Sequence, residues 1–257
     1  MSDDQAPAAD AAAPTDGTLP PVMAALWRQD DARRPGPRPG LSVDAITATA
    51  IELADTEGLP AVSMARLAER LGVTTMALYR YVGGKDELLA RMYDAALRPP
   101  DLAATGPWRD RLEAWCRAQL VLVRAHPWVV SVVGRAPIGP HRVRWLETGL
   151  AALADSALPP PLATAVVGML SLHVLTEGHL AAAVAERDAG RSADHPALVD
   201  YGGLLRAVVD PAREPHIAAA LAAGAFDDAA EEDADQEFAL ALLLDGVEAL
   251  ERRCAAG

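Results

Sequence analysis

Within residues 74–85 the chain gathers two cations, Arg80 and Lys85, and four hydroxyls, on Thr74, Thr75, Tyr79 and Tyr81. Such side chains hydrogen-bond base edges and bind phosphate oxygens, so one helix face carrying them has the chemistry of nucleic-acid recognition. The spacing agrees. Leu78 and Val82 fall four apart and face a core, leaving Thr75, Met76, Ala77, Tyr79, Arg80 and Tyr81 to face outward. A helix from Thr74 to Val82 would be roughly 13 Å long, which suits the width of the B-DNA major groove. Gly83-Gly84 stops it, and Lys85 opens the next helix with Asp86 and Glu87 behind it. The dipole at a helix start favours those carboxylates and opposes the lysine, and a phosphate partner is one reason for Lys85 to stand there.

Other chemistry has less to rest on. His173 and Glu177 lie four apart on one helical face with ligand-like spacing, but two residues do not make a metal site. Ser171 is close to His173 in sequence, yet no nucleophile elbow surrounds it, and no glycine-rich loop is placed to cradle phosphate. Cys116 and Cys254 are too few and too far apart for a disulfide framework or a metal site. No catalytic residue, metal or cofactor is expected.

The polar face needs a scaffold, and the flanking sequence supplies one. Met64, Leu67, Ala68 and Leu71 recur at i, i+3, i+4 and i+7, so a helix over 63–72 buries one stripe and turns Arg66, Glu69 and Arg70 away from it. Ser63 is its N-cap, Val62 can pack on Leu67 as a hydrophobic staple, and Gly72 ends it in the left-handed conformation. Thr74 caps the next helix almost at once, so the two cross steeply as a helix-turn-helix. Upstream, Ser42 caps a helix whose inward stripe is Ile46, Ala50, Leu53 and Ala54, ended by Gly58 and Pro60. Downstream, a helix from Lys85 to about Leu97 turns Leu88, Leu89, Met92 and Ala96 inward and stops at Pro99-Pro100.

The runs LAERLGV, TTMALYRYV and KDELL, preceded by the helix Ile46–Gly58, resemble the DNA-binding domain of the tetracycline-repressor (TetR) family over about residues 42–97. The resemblance implies that Thr75, Met76, Ala77, Arg80 and Tyr81 face bases, and that Ser63, Thr74, Tyr79 and Lys85 touch the DNA backbone. Ala65 stands where some members carry a DNA-contacting arginine. The implied protein is an all-α homodimeric transcriptional regulator, a repressor by default, which binds a roughly palindromic double-stranded DNA operator and releases it when a small-molecule effector enters its C-terminal domain.

Three regions follow: 1–40, an acidic tail and a basic Pro/Arg arm; 41–98, a three-helix helix-turn-helix domain; and 99–257, a larger helical effector-binding and dimerisation domain. The arm RQDDARRPGPRPG is kept extended by its prolines. Its arginines, Arg38 among them, either reach an adjacent minor groove or belong to a solvated linker. The short run Val22–Trp27 has apolar residues enough for a helical turn.

The net charge of −13 is unusual for a DNA binder, but it is unevenly placed. Residues 28–98 carry ten bases and ten acids, while 99–257 carry 13 bases and 22 acids. Screening over about 8–10 Å at physiological salt lets a remote acidic domain coexist with a local phosphate contact. The acidic N-terminus lacks the basic start and apolar run of a signal peptide, and charge interrupts every long apolar stretch, so a cytoplasmic protein without a membrane span is expected.

From Pro107 onward the apolar segments read as helices: Trp108–Ala125, a short piece after Pro127, 140–157, 162–187 and 232–253. Stretches around 188–197, 210–216 and 224–236 read as loops. The segments 162–187 and 232–253 correspond, by the resemblance, to the helices through which two subunits pair. Trp115, His126, Trp128, Trp145, Met169, His173, Glu177 and Phe238 mix aromatic bulk with polar groups and are the candidate effector liners. A helical module that has lost DNA affinity, or a metal enzyme around His173 and Glu177, are the alternatives.

Overall fold

The computed structural model describes residues 19–27, 41–102, 105–188, 201–226 and 232–256. Arg38 and the rest of the arm lie outside them, as does most of the acidic tail. Among the described residues every regular element is helical. The chain forms two compact units, Met1–Asp101 with Trp128–Thr148, and Leu102–Pro127 with Gly149–Gly257.

In the first unit α1 (Pro21–Trp27) precedes α2 (Val43–Glu57), α3 (Met64–Leu71), α4 (Thr75–Tyr79) and α5 (Lys85–Ala96), with a 3-10 turn at Leu59–Ala61. Side-chain caps start three of them. Ser42 Oγ accepts from the Ala45 N–H at 3.0 Å, Ser63 Oγ from Arg66 at 3.2 Å and Thr74 Oγ1 from Ala77 at 3.2 Å, each satisfying an N–H that the helix itself leaves free. Gly72 takes the left-handed conformation, φ 66° and ψ 33°, which closes α3 and turns the chain into α4.

The inward stripes meet in one core that contains Ile46, Leu53, Val62, Leu67, Leu78, Val82, Leu88 and Met92. Trp128, Val129 and Val132 complete it, the last two from the short helix α7 (Val129–Val132). Residues 128–148, assigned from sequence to the C-terminal domain, therefore pack with the first unit. Trp128 Nε1 donates to Asp55 at 2.7 Å and Trp145 Nε1 donates to the Leu97 carbonyl at 2.7 Å. The helix α8 (Pro140–Ala152) starts in this unit, where Asp94 accepts from the His141 backbone N–H at 3.1 Å.

The second unit is built on α6 (Trp108–Ala125), α9 (Pro160–Asp188) and α12 (Glu232–Ala256), with α10 (Tyr201–Val208) and α11 (Pro215–Ala222) between the last two. The short helices α10 and α11 were not separately assigned from sequence. Pro160 and Pro161 open α9 instead of merely interrupting the chain, since a first-turn proline loses no hydrogen bond. Small residues allow close approach. A Cβ on Gly149 would lie 2.7 Å from the Trp115 ring, and one on Gly178 would lie 2.2 Å from Val123 Cγ1. Arg111 ties the start of α6 down by donating to the carbonyls of Gly106 and Ala152 and pairing with Asp155. That guanidinium holds the Asp155 carboxyl below its ordinary pKa.

Among the described residues Pro160–Ala181, 22 residues long with Glu177 as its one charge, is apolar enough by length and composition alone to cross a membrane, a test that a partly buried core helix also meets. A third of its most apolar window is buried inside the protein.

Candidate nucleic-acid interface and effector cavity

The outward face of α4 is created by what lies beneath it. Leu78 and Val82 are completely buried, which fixes the rotation of the segment, and Thr74, Thr75, Met76, Tyr79, Arg80 and Tyr81 are exposed. Ala77 is half-buried, and so is Ser63, whose oxygen is occupied as a cap. Met76 is 73% exposed, which no folding requirement of an isolated chain explains for so apolar a side chain.

The regular helix ends sooner than the spacing predicts. After Tyr79 the chain tightens, with the N–H groups of Arg80 and Tyr81 bonding the carbonyls of Ala77 and Leu78, three residues back. The α-helical part is thus roughly 8 Å long, with Arg80 and Tyr81 on the turn that follows it. Gly84, at φ 153°, carries the chain through a backbone region that side chains disfavour before Lys85 begins α5.

Charge is sorted around this face. Arg66 is paired with Glu57 at 2.6 Å, and Arg70 with Glu52 at 3.0 Å, so the guanidiniums of α3 bind α3 to α2. Arg80 and Lys85 are exposed and have no ion-pair partner among the described residues. They are cations that the fold leaves unpaired beside this face.

In the second unit a cavity of about 300 Å³ opens among α6, α9 and α12. This is the lower end of the range for small-molecule sites. Leu120, Val174 and Leu240 give it apolar walls, and Arg117, His173, Glu177 and Glu237 give it polar ones. Arg117 is held by Glu113 at 2.9 Å and by Glu237 at 3.4 Å, while His173 Nδ1 and Glu177 stand 3.8 Å apart. Cys116 also lines the cavity, and burial, with Glu113 nearby, pushes its thiol up to about 12. It stays protonated and is not a nucleophile near neutral pH.

Of the effector liners expected from sequence, His173 and Glu177 meet in this cavity. Trp115 is buried beside Gly149, and His126 caps the end of α6. Trp128 and Trp145 belong to the first unit, where their ring N–H groups are already engaged. Met169 and Phe238 are exposed on the outside of α9 and α12. Sequence reasoning missed Arg117, Arg124, Leu120 and Leu240, all of which line the cavity. The 3.6-residue spacing of Arg117, Leu120 and Arg124 on one side of α6 was the available signal. No group of three or more metal-ligating residues occurs among the described residues.

Residues 46–92 match the family model for bacterial regulatory proteins of the tetR family, and 99–250 match that for the tetracyclin repressor-like C-terminal domain. The HTH-type transcriptional repressor DrrR1 of Streptomyces coeruleorubidus is 39% identical over 165 residues, covering 62% of this chain and 60% of its own length, which is less than two thirds. An HTH-type transcriptional regulator of Saccharopolyspora erythraea is 30% identical over 189 residues, covering 68% of this chain and 80% of that protein. Among solved structures, the TetR family protein ActR of Streptomyces coelicolor in complex with actinorhodin superposes with a TM-score of 0.69 at 25% identity, over 83% of this chain and 98% of ActR.

Proposed function

Since this chain belongs to the TetR family of bacterial regulatory proteins, we propose that it is a cytoplasmic, homodimeric repressor that binds a roughly palindromic DNA operator and releases it when a small molecule occupies the second unit. The observation that carries the reading is the exposed face of Thr75, Met76, Tyr79, Arg80 and Tyr81 above a fully buried Leu78 and Val82. In this reading Arg80, Tyr81, Thr75, Met76 and Ala77 meet base edges, and Ser63, Thr74, Tyr79 and Lys85 meet phosphates. Arg38 would extend the contact along the duplex.

The apolar exterior of the second unit supports pairing. Leu172, Leu180, Phe238 and Leu242 are each more than half exposed, on the two helices that the resemblance assigns to dimerisation. Two identical reading units related by a two-fold axis match successive major-groove faces, as a palindromic site requires. The cavity supports release: an effector that binds more tightly to a state in which the reading units no longer match the groove spacing shifts the population toward that state. ActR, solved with actinorhodin, is a similar protein crystallised with a small molecule. The reading assigns no catalytic role.

The test uses a duplex selected from random DNA by the wild-type protein. Arg80→Ala weakens binding to that duplex by about 1–3 kcal/mol. Lys85→Ala weakens all sequences alike and lowers the salt slope by about 1. Wild-type affinity and salt slope in both variants would remove α4 from the interface.

A further inference from the structure

Arg91 is an arginine inside the first unit, only 7% exposed, and arginine is seldom buried unless paired. Its Nε and Nη2 both donate to Glu87 Oε1, at 2.9 and 2.6 Å. Nη2 also reaches the Ala25 carbonyl of α1 at 3.5 Å, and Nη1 is buried with no protein partner. The other oxygen of the same carboxylate, Glu87 Oε2, accepts from the Gly83 N–H at 3.1 Å. One carboxylate therefore joins the turn that follows α4 to a buried guanidinium, and the guanidinium joins that to α1.

Local sequence explains the arrangement. Gly84 is the N-cap of α5 and has no side chain with which to satisfy the free N–H groups there. Glu87, at the third helical position, reaches back as the acidic half of a capping box does, but bonds one residue further out. A Cβ on Gly83 would lie 2.7 Å from Glu87 Oε2, so the carboxylate sits directly over the turn's backbone. Above the pair, α1 buries Ala25 and Leu26, and Trp27 Nε1 anchors it by donating to the Ile138 carbonyl at 3.1 Å. This helix lies outside both stretches that match family models.

We infer that Glu87 and Arg91 are positioning residues for the DNA-facing surface, and that α1 is the cover that keeps their ion pair out of water. By fixing Gly83-Gly84 the pair sets where Tyr81 and Lys85, on either side of that turn, stand relative to α4. The inference rests on the reading of α4 as the DNA-facing helix. Breaking a buried pair from one side strands the other charge, so the turn must rearrange instead of simply loosening. Base contacts depend on that geometry more than long, flexible phosphate contacts do, and discrimination between sequences is what should suffer.

The experiment compares the full-length protein and its variants on the selected duplex and on a scrambled duplex of equal composition, by fluorescence anisotropy at one salt concentration. Arg91→Met lowers affinity for the selected duplex about tenfold and for the scrambled one less than about twofold, and Arg91→Lys restores most of the difference. Gly83→Ala pushes Glu87 Oε2 off the turn from the exposed side while Oε1 stays on Arg91, and gives the same loss of discrimination with a melting temperature close to wild type even if Arg91→Met unfolds. Wild-type discrimination in Gly83→Ala, or equal weakening on both duplexes, overturns the inference. If Arg80→Ala also binds as wild type, the assignment of α4 falls with it; if Arg80→Ala alone loses binding, only the role of the pair falls.

Discussion

The two units bury their apolar residues differently. In the first, the stripes of α2, α3, α4 and α5 close on one another and on Trp128, Val129 and Val132, and among the described residues the exposed large apolar side chains are confined to α4 and the turn after it, where Met76, Tyr79 and Tyr81 lie, and to residues 138–146. In the second, the long helices keep Leu172, Leu180, Phe238 and Leu242 in water. A self-contained core makes a rigid reading head, whereas a helix apolar on most of its circumference must be buried or paired with another chain. On the proposed reading the difference separates recognition, encoded within one protomer, from assembly, which needs two.

The comparison breaks most visibly at the exposed leucines. Leu172→Glu combined with Leu242→Glu yields a monomer by light scattering, and affinity for the palindromic duplex drops by at least about 100-fold as the second reading head is lost. The secondary structure by circular dichroism stays intact, since both positions are exposed in the protomer. A dimer that survives both charges would place the contact elsewhere.

Next in size is the core of the first unit. Leu78→Ala removes a completely buried side chain and costs about 2–5 kcal/mol of stability. Hydrogen exchange should quicken through α2–α5 and leave α6 and α9 protected. In the second unit the matching probe adds volume. Gly178→Ala gains about 1 kcal/mol of helix propensity but drives a methyl into Val123, a stiff β-branched residue, at an expected cost of about 1–3 kcal/mol. The net is destabilising, read as a lower melting temperature with exchange quickened in α6 and α9. Uniform loss of protection in either variant would mean that the units do not unfold separately.

How far the sequence foretold this differs in the same way. The caps at Ser42, Ser63 and Thr74, the left-handed Gly72 and the buried Leu67, Leu78 and Val82 are all local signals, fixed within a few residues of chain, and each is where periodicity placed it. The early end of α4 was not legible, because continued helix and a tightened turn have the same apolar spacing. Trp128 in the first core and the burial of Arg91 depend on partners far along the chain. On α9 and α12 the pattern failed for another reason: apolar residues all round a helix do not say which face meets α6, which lines the cavity and which faces outward. That is why Met169 and Phe238 read as pocket residues although both are exposed.

The smallest expected effect tests whether the first unit's anchorage is electrostatic. His141 Nδ1 lies 3.1 Å from Asp94 Oδ2 and 2.8 Å from the Asp94 carbonyl, and its side chain is 19% exposed. The hydrogen bond to the Asp94 carboxylate raises the imidazole above its ordinary value of 6.5, against the opposing pull of burial and of Arg98. A raised folded-state value means that the folded protein holds the proton more tightly. The stabilisation is therefore complete below about 6.5 and is lost as pH rises through the folded-state value. Comparing wild type with His141→Gln by chemical denaturation, the gap should be on the order of 1 kcal/mol near pH 5.5 and smaller near pH 8.5. An equal gap at both values would show that the ring serves as a neutral donor to the Asp94 carbonyl, and that α8 is held to α5 by hydrogen bonding alone.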